Sequence, residues 1–231
     1  MTGAVTLEHV TKIHGGTVAL DDVSATVPAG RFTAVLGPAG SGKSTLLHCA
    51  SGLDLPTSGD VTVAGVHVTA LGESERDQWR RAHVGLVFPS HNLLPSLTIE
   101  QNLTLPLRLA LVRPDRSWLR ELAGRAGLAD RLHDRPAELP EDGQRLAAVV
   151  RAFAARPAVV FADEPAGPSG RVLDLLRELV EDLGQTVVMT TRDRAAAARA
   201  HDVLLMERGR VVDPLSAPGA GIPAHERHRW G

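Results

Sequence analysis

Gly37-Pro38-Ala39-Gly40-Ser41-Gly42-Lys43-Ser44 is the stretch that decides the fold of this chain. It fits the pattern G-x-x-x-x-G-K-[ST] and lies between a predicted strand, Phe32 to Leu36, and a predicted helix that continues to about Ser51. A glycine-rich turn between a strand and a helix lets successive backbone N–H groups surround an anion, and the helix N-terminus adds partial positive charge. The sequence therefore predicts a P-loop that binds the phosphates of a nucleotide.

Lys43 and Ser44 have the side chains that such a loop needs. The Lys43 ammonium is expected to reach the β- and γ-phosphates, and the Ser44 hydroxyl is expected to ligate Mg²⁺. Lys43 is also one of only two lysines in the chain, the other being Lys12. We expect the nucleotide to be bound by Gly37, Pro38, Ala39, Gly40, Ser41, Gly42, Lys43, Ser44 and Thr45.

A second candidate piece of the site follows the apolar run Val159 to Phe161, which ends in Asp163 and Glu164. Alone, such a run is more often a strand that enters a solvated turn, but the P-loop upstream favours a catalytic pair at the carboxyl edge of a sheet. Asp163 would then hold Mg²⁺, usually through water. Glu164 would be the catalytic residue that orients or deprotonates the attacking water.

The composition is that of a folded protein without a broad charged surface. Hydrophobic residues make up 43% and charged residues 23% of the 231 residues, and the formal net charge is -2. This charge supplies no broad footprint for nucleic acid or for an anionic membrane, so we expect no nucleic-acid partner and only local anion sites. The single Cys49 cannot form an internal disulfide, and neither a signal peptide nor a membrane span is evident, so a cytoplasmic protein is expected.

Predicted strands and helices alternate along the chain, which predicts an α/β fold with a mostly parallel sheet. Residues from about 98 to 156 look mainly helical and are interpreted as an inserted helical subdomain. The last segment, residues 214–231, is rich in glycine and proline and is predicted to be a flexible tail after a domain at 1–213. The other predicted strands are Val5 to Val10, Ala19 to Val27, Ser58 to Val68, Val84 to Phe88, Thr186 to Met189, Val203 to Met206 and Val211 to Val212, and the other predicted helices are Val172 to Leu183 and Arg194 to Ala200.

From about Val5 to Val212 the chain resembles the ATP-binding subunit of an ABC transporter. The segments Leu86 to Leu103 and Leu105 to Leu109 are similar to the lipoprotein-release and macrolide-export branch, and Pro136 to Pro165 aligns without a gap from signature motif to Walker B strand. The resemblance implies a P-loop NTPase core, an antiparallel β subdomain and a helical subdomain. It also implies ATP and Mg²⁺ as ligands, a membrane permease and a second ATP-binding subunit, in a homodimer or a heterodimer, as partners, and a place on the inner face of the cell membrane.

Two positions near the base and the Q-loop depart from the family pattern. The aromatic residue that stacks on adenine in the family falls at His14, which is either a weaker stacking partner or a surface loop residue. The Q-loop glutamine, which relays the nucleotide state to the permease, falls at Pro89, which has neither a polar side chain nor an N–H. The resemblance therefore implies that this relay is missing.

The signature, D-loop and switch positions depart as well. The family's Leu-Ser-Gly-Gly-Gln reads Leu139-Pro140-Glu141-Asp142-Gly143, which removes a donor and brings two carboxylates towards a polyanion. The D-loop aspartate segment between Pro165 and Val172 is shortened. Arg192 stands at the switch histidine, where it either contacts the γ-phosphate or is a plain surface arginine.

These features leave two hypotheses of function. In the first, the chain is an ATPase subunit that drives a permease, although Pro89, Pro140 to Asp142 and Arg192 are expected to impair its hydrolysis of ATP. In the alternative, it is a catalytically inactive nucleotide-binding scaffold or regulatory subunit that is paired with an active ATPase. A P-loop kinase or GTPase is disfavoured because no guanine-selective Asn-Lys-x-Asp motif is present.

Overall fold

Two β-sheets organise the computed structural model, which describes residues 3–167 and 169–216. The strands are β1 (Gly3–His14), β2 (Thr17–Pro28), β3 (Phe32–Leu36), β4 (Ser58–Val63), β5 (Val66–His67), β6 (Val84–Val87), β7 (Val159–Asp163), β8 (Val187–Thr191), β9 (Asp202–Glu207) and β10 (Arg210–Ser216). The helices are α1 (Lys43–Ala50), α2 (Glu73–His83), α3 (Ile99–Leu109), α4 (Arg116–Arg125), α5 (Glu141–Phe153), α6 (Arg171–Leu183) and α7 (Arg194–Ala197).

The larger sheet has six strands in the order β10-β9-β3-β8-β7-β6, and only the β9–β10 pair is antiparallel. Every residue of β3, β7 and β8 is buried, as expected for strands covered on both faces. Alternate residues of β3 pack on opposite sides: Phe32 and Leu36 pack towards the helices α5 and α6, whereas Val35 packs towards α1 and the smaller sheet. The prediction of a mostly parallel P-loop core is confirmed.

The smaller sheet is antiparallel and has the strand order β2-β1-β4-β5. Its buried residues, including Val5, Val10 and Val61, join one cluster with Leu46 and Leu47 of α1. The sheet therefore covers the helix that follows the P-loop, and the predicted antiparallel β subdomain is present.

The inserted segment contains α3, α4 and α5 together with short 3-10 turns at Ala129–Arg131 and Pro136–Glu138. Thr98 begins α3 with a capping box, since its hydroxyl accepts from Gln101 N and the Gln101 side chain accepts from Thr98 N. Asp115 caps α4 by accepting from two backbone N–H groups. The indole of Trp118 in α4 donates to the Phe153 carbonyl at 3.1 Å, which fixes α4 against the end of α5.

Several predicted boundaries need correction. Helix α2 was not predicted, because Trp79 is its only buried residue and its polar sequence lacks an apolar stripe. Helix α7 ends at Ala197, three residues before the predicted end. Strand β10 continues to Ser216, so residues 214–216 belong to the sheet rather than to the predicted tail. The rest of that tail, residues 217–231, lies outside the described residues.

No helix within residues 3–167 and 169–216 is both long and apolar enough to cross a membrane.

Candidate nucleotide site

The P-loop lies at the carboxyl edge of the large sheet, between β3 and α1. Gly42 adopts a left-handed φ of 98°, and a Cβ there would lie 2.4 Å from the Ala19 carbonyl oxygen, so this position requires glycine. Gly37 N donates to the carbonyl of Thr191 at 3.3 Å, which ties the start of the loop to β8. The hydroxyl of Ser41 is buried and has no hydrogen-bond partner among the described residues. Contacts at Gly37 and Gly42 thus fix the loop, and the Ser41 hydroxyl has no hydrogen-bond partner among the described residues.

Lys43 is 6% exposed, and its ammonium donates to the carbonyls of Gly37 at 2.8 Å and Pro38 at 2.7 Å. Burial lowers the pKa of Lys43 below its ordinary value, and Arg192 adds to the lowering. The carboxylates of Glu164 and Asp163 act in the opposite direction. The charges of Lys43, Asp163, Glu164 and Arg192 therefore interact within a single site. The sequence predicted that Lys43, Asp163 and Glu164 lie together.

Asp163 ends β7 and is buried. Its Oδ1 accepts from the hydroxyl of Ser44 at 3.1 Å and from the hydroxyl of Thr190 at 2.5 Å. A serine hydroxyl beside a carboxylate is an oxygen donor set, and Mg²⁺ prefers such ligands. Ser44 and Asp163 therefore fit the metal-binding roles predicted for them.

Thr190 is a site residue that sequence reasoning missed. It lies in β8 directly opposite Asp163 in the parallel register. Besides its bond to Asp163, its hydroxyl accepts from Glu164 N at 3.1 Å. The only signal in the sequence was its place at the end of an apolar strand, which did not reveal its neighbour.

Glu164 follows Asp163 with a left-handed φ of 45°, a conformation that costs a non-glycine residue roughly 1–3 kcal/mol and often marks a functional position. Its backbone N–H is held by Thr190. Its carboxylate lies 3.3 Å from Nε of Arg192, and the two side chains are 30% and 64% exposed. Arg192 is thus an exposed arginine that pairs with the predicted catalytic residue, and its contact with a γ-phosphate stays a prediction.

His14 ends β1 beside the β1–β2 turn, and its side chain is half exposed. Its Nε2 lies 3.9 Å from the carboxylate of Asp54, which also binds Lys12 at 2.7 Å. These are the contacts that the structure gives for the His14 ring. Contact between His14 and adenine stays a prediction.

The loop after β6 is contacted by a half-buried arginine of α5 that the sequence did not single out. Pro89 is exposed, as are Ser90 and Asn92. The guanidinium of Arg151 in α5 donates to the carbonyls of Asn92 at 2.5 Å and His91 at 2.8 Å, and burial lowers the pKa of Arg151. Arg151 therefore holds this loop through two backbone carbonyls. Pro89 contributes no side-chain donor to the loop.

The altered signature segment forms the first turn of α5. Pro140 is the N-cap residue, and Glu141 and Asp142 follow it in the first turn, where carboxylates interact favourably with the helix dipole. Arg145, one turn later, forms an ion pair with Glu141. The chain thus places two carboxylates in the first turn of α5, one of them paired with its own arginine.

Gly167, in the segment that the resemblance assigns to the D-loop, packs against the same turn. A Cβ at Gly167 would lie 2.7 Å from Oδ1 of Asp142 and 2.9 Å from Cδ of Arg145, so glycine allows this close approach. Oδ1 of Asp142 and Nε of Arg145 are both buried and have no partner in the described part of the chain. Gly167 therefore packs against Asp142 and Arg145, whereas Pro140 and Glu141 stay exposed.

Comparison with known proteins agrees with this geometry. Residues 20–167 match the model of the ABC transporter domain. The chain belongs to the ABC transporter family. It is an ATP-binding subunit of the type found in lipoprotein-release and macrolide-export systems, as its relatives indicate.

Three relatives illustrate this placement of the ABC subunit. The lipoprotein-releasing system ATP-binding protein LolD of Paramagnetospirillum magneticum is 40% identical over 81% of this chain and 86% of that protein. An uncharacterised ABC transporter ATP-binding protein of Mycobacterium tuberculosis is 38% identical, over 85% of this chain and 82% of its own. The macrolide export ATP-binding/permease protein MacB of Burkholderia pseudomallei is 39% identical, over 88% of this chain but only 32% of its own.

Solved structures confirm the fold of the ABC subunit. The dimeric bacterial ABC transporter cassette MJ0796 is 31% identical and superposes with a TM-score of 0.83 over 93% of this chain and 98% of its own. A post-hydrolysis state of the same cassette, bound to ADP and Pi, superposes with a TM-score of 0.82 over 93% of this chain and 98% of its own.

Proposed function

We propose that this ABC subunit binds Mg·ATP tightly, hydrolyses it slowly or not at all, and transmits nucleotide binding to a membrane permease. The observation that carries the proposal is the contrast between two parts of one chain. The placement of Lys43 in the P-loop and the hydrogen bond between Ser44 and Asp163 support a phosphate and Mg²⁺ site. The signature turn instead presents Glu141 and Asp142.

In the proposed dimer, each ATP would lie between the P-loop of one subunit and the signature turn of the other. A carboxylate about 4 Å from a phosphate charge costs about 1 kcal/mol in water and about 4 kcal/mol at an effective dielectric constant of 20. The turn of this chain would therefore weaken the closure of its partner's site. A homodimer would have this defect at both sites, whereas a heterodimer with a regular partner would have it at one.

Hydrolysis also needs Glu164 to reach the attacking water. In this structure its carboxylate is paired with Arg192 at 3.3 Å. Pro89 has no polar side-chain group that could bind the water or Mg²⁺. When bound, Mg²⁺ supplies charge neutralisation between the phosphates. Ser44 and Asp163 would hold that ion, Lys43 would bind the phosphate oxygens, and Glu164 would accept the proton of water only after leaving Arg192.

A groove between α2, β6 and the inserted helices is the proposed contact for a permease helix. Its volume is about 310 Å³, and its floor is apolar, with Leu86, Phe88, Leu105, Pro106 and Leu109 among the lining residues. Arg80, Arg81 and Arg151 also line it. The relative MacB combines the ATP-binding and permease parts in one protein, which supports a permease segment as the occupant.

The alternative is a catalytically inactive scaffold or regulatory subunit that is paired with an active ATPase. The packing of Gly167 against Asp142 and Arg145 favours this alternative, because one carboxylate of the signature turn is engaged within its own chain. The proposed function and its alternative both require ATP binding at residues 37–45, and both place the subunit on the inner face of the membrane.

Mg·ATP binding and phosphate release by the purified chain test the proposal. We expect saturable binding that is lost in Lys43→Ala, with phosphate release well below the 1–100 per second that is typical of phosphoryl-transfer enzymes. Release at that ordinary rate, abolished by Glu164→Gln, would overturn the proposal of slow hydrolysis. Adding a second ATP-binding subunit would then distinguish an active heterodimer from a scaffold.

A further inference from the structure

The end of α3 and the loop behind it present large apolar side chains to solvent. Leu109 is 68% exposed, Leu111 is 95% exposed and Val112 is 53% exposed. They are consecutive apart from Ala110, so they form one protruding edge, which we call the leucine turn (residues 108–113). Exposed apolar side chains that cluster in this way mark an interaction surface more often than scattered ones do.

The leucine turn has a defined backbone conformation. Val112 N donates to the Leu107 carbonyl at 2.9 Å and Leu111 N donates to the Arg108 carbonyl at 3.1 Å, which is the hydrogen-bond pattern of a Schellman helix end. The residue at the left-handed position of this motif is usually glycine. Here it is Leu111, with a φ of 57°. The chain therefore keeps a large apolar side chain at a position that disfavours it, and that side chain points into solvent.

Arginines flank the apolar side chains on both sides. Arg108 and Arg113 are exposed, and no acidic residue occurs between Glu100 and Asp115. The net charge of -2 gives the whole chain no attraction for anionic surfaces, so this cationic edge is a local feature. Apolar side chains between cationic ones match the interface of an anionic bilayer, where the apolar groups enter the acyl boundary and arginines contact the phosphates.

We propose that the leucine turn is a membrane-contact element that inserts Leu109, Leu111 and Val112 into the surface of an anionic phospholipid bilayer. The inference rests on the proposed function, which places the subunit beside a permease. Leu109 also lines the groove assigned to the permease, so the two surfaces are continuous. A subunit whose groove holds a permease segment would bring this edge to the adjacent lipid.

The bilayer is favoured over a protein partner by the shape and charge of the edge. Leu111 protrudes almost fully from the surface and lies outside the groove, so it is free to enter the acyl boundary of a bilayer. The flanking arginines match the uniform negative charge of a phospholipid surface. Three apolar side chains give weak attachment alone, which suits a contact that supplements the permease.

Flotation with vesicles tests the inference on the full chain. Vesicles of phosphatidylcholine alone are compared with vesicles of phosphatidylglycerol and phosphatidylcholine in equal parts. We expect binding to the anionic vesicles that is weakened about tenfold by Leu111→Gly, because the variant loses the inserted side chain. The variant also relieves the left-handed backbone, so its thermal stability is expected to be equal or higher. A double variant, Arg108→Gln with Arg113→Gln, is expected to lose about tenfold or more on anionic vesicles.

Val212→Gln is the matched control, since Val212 is 50% exposed on β10 and is expected to leave vesicle binding unchanged. Failure of the native chain to bind anionic vesicles, or equal binding by the native chain and Leu111→Gly, would overturn the inference. ATP binding is measured on the same samples. A native chain that binds ATP but not anionic vesicles contradicts this inference alone, whereas a native chain that does not bind ATP contradicts the proposed function.

Discussion

The guanidinium of Arg192 lies 3.3 Å from the carboxylate of Glu164, so the residue at the switch position is paired with the predicted catalytic base. Both charges act on the Lys43 ammonium in the P-loop, in opposite directions. The pair joins the loop after β7 to the loop after β8 at the edge where nucleotide is expected. Substitutions that change the charge of Glu164 or Arg192 should therefore alter the affinity for nucleotide more than the thermal stability of the fold.

Arg192→Ala is predicted to weaken ATP binding about three- to tenfold, because it removes a positive charge near the γ-phosphate and frees the Glu164 carboxylate to repel it. ADP affinity should change little. The melting temperature should also change little, since an exposed ion pair contributes at most about 1 kcal/mol. Isothermal titration calorimetry with both nucleotides measures the effect.

Two controls accompany this variant. Arg199→Ala removes a comparably exposed arginine that pairs with Asp174 and should leave both affinities unchanged. Glu164→Gln removes the repelling charge and should raise ATP affinity. Equal losses for ATP and ADP in Arg192→Ala, or no loss at all, would show that Arg192 does not report on the γ-phosphate.

Restoring the family residues at the signature turn is predicted to allow an ATP-bound dimer. The variant Pro140→Ser, Glu141→Gly, Asp142→Gly removes two carboxylates from the first turn of α5 and returns a hydroxyl. Combined with Glu164→Gln to suppress turnover, it should dimerise with Mg·ATP in size-exclusion chromatography with light scattering. Glu164→Gln alone should stay monomeric under the same conditions, and dimerisation of both would mean that the native turn still closes on ATP.

Lys43→Ala is predicted to lower ATP affinity by a factor of roughly 30 to 1,000, corresponding to about 2 to 4 kcal/mol for charge-assisted bonds to phosphate. Lys12→Ala is the matched control, because Lys12 is the other lysine of the chain. It loses bonds to Asp54 and to the Leu55 carbonyl, so it should cost about 1 kcal/mol of stability and leave ATP affinity within threefold. Similar affinity losses in both variants would place the phosphate site elsewhere.

Cys49 is predicted to resist thiol reagents in the folded chain. It is 1% exposed, and burial raises its pKa from 9.0 to about 12, with Asp54 adding to the rise. The folded thiol therefore holds its proton at a pH where the unfolded thiol loses it, so stability should fall as pH rises above 9.0 and on towards 12. Labelling with a chromogenic disulfide reagent at pH 8 should require denaturant, and rapid labelling without denaturant would contradict this packing.

Much of the site follows from local sequence. The P-loop motif, the strand before Asp163 and the helix after Lys43 each lie within a dozen residues, where spacing and apolar pattern decide the structure. Burial on both faces explains why β3 matches its predicted bounds. The polar helix α2 could not be predicted from the sequence, because only Trp79 packs inward and its residues show no helical repeat of apolar side chains.

Other contacts in and near the site depend on packing between elements that are distant in sequence. Thr190 reaches Asp163 because β8 lies beside β7, and Arg151 reaches His91 because α5 packs against the loop after β6. No spacing in a single sequence encodes those pairings. The left-handed backbone of Glu164 is likewise a consequence of this packing rather than of its residue type.

We propose that this ABC subunit binds Mg·ATP but turns it over slowly. Quenched-flow measurement of phosphate release on the same sample that is titrated with Mg·ATP tests it most directly. We predict saturable binding that requires Lys43, with release far below about 1 per second. Release at about 1 to 100 per second, abolished by both Lys43→Ala and Glu164→Gln, would contradict the account and show that the altered motifs still catalyse.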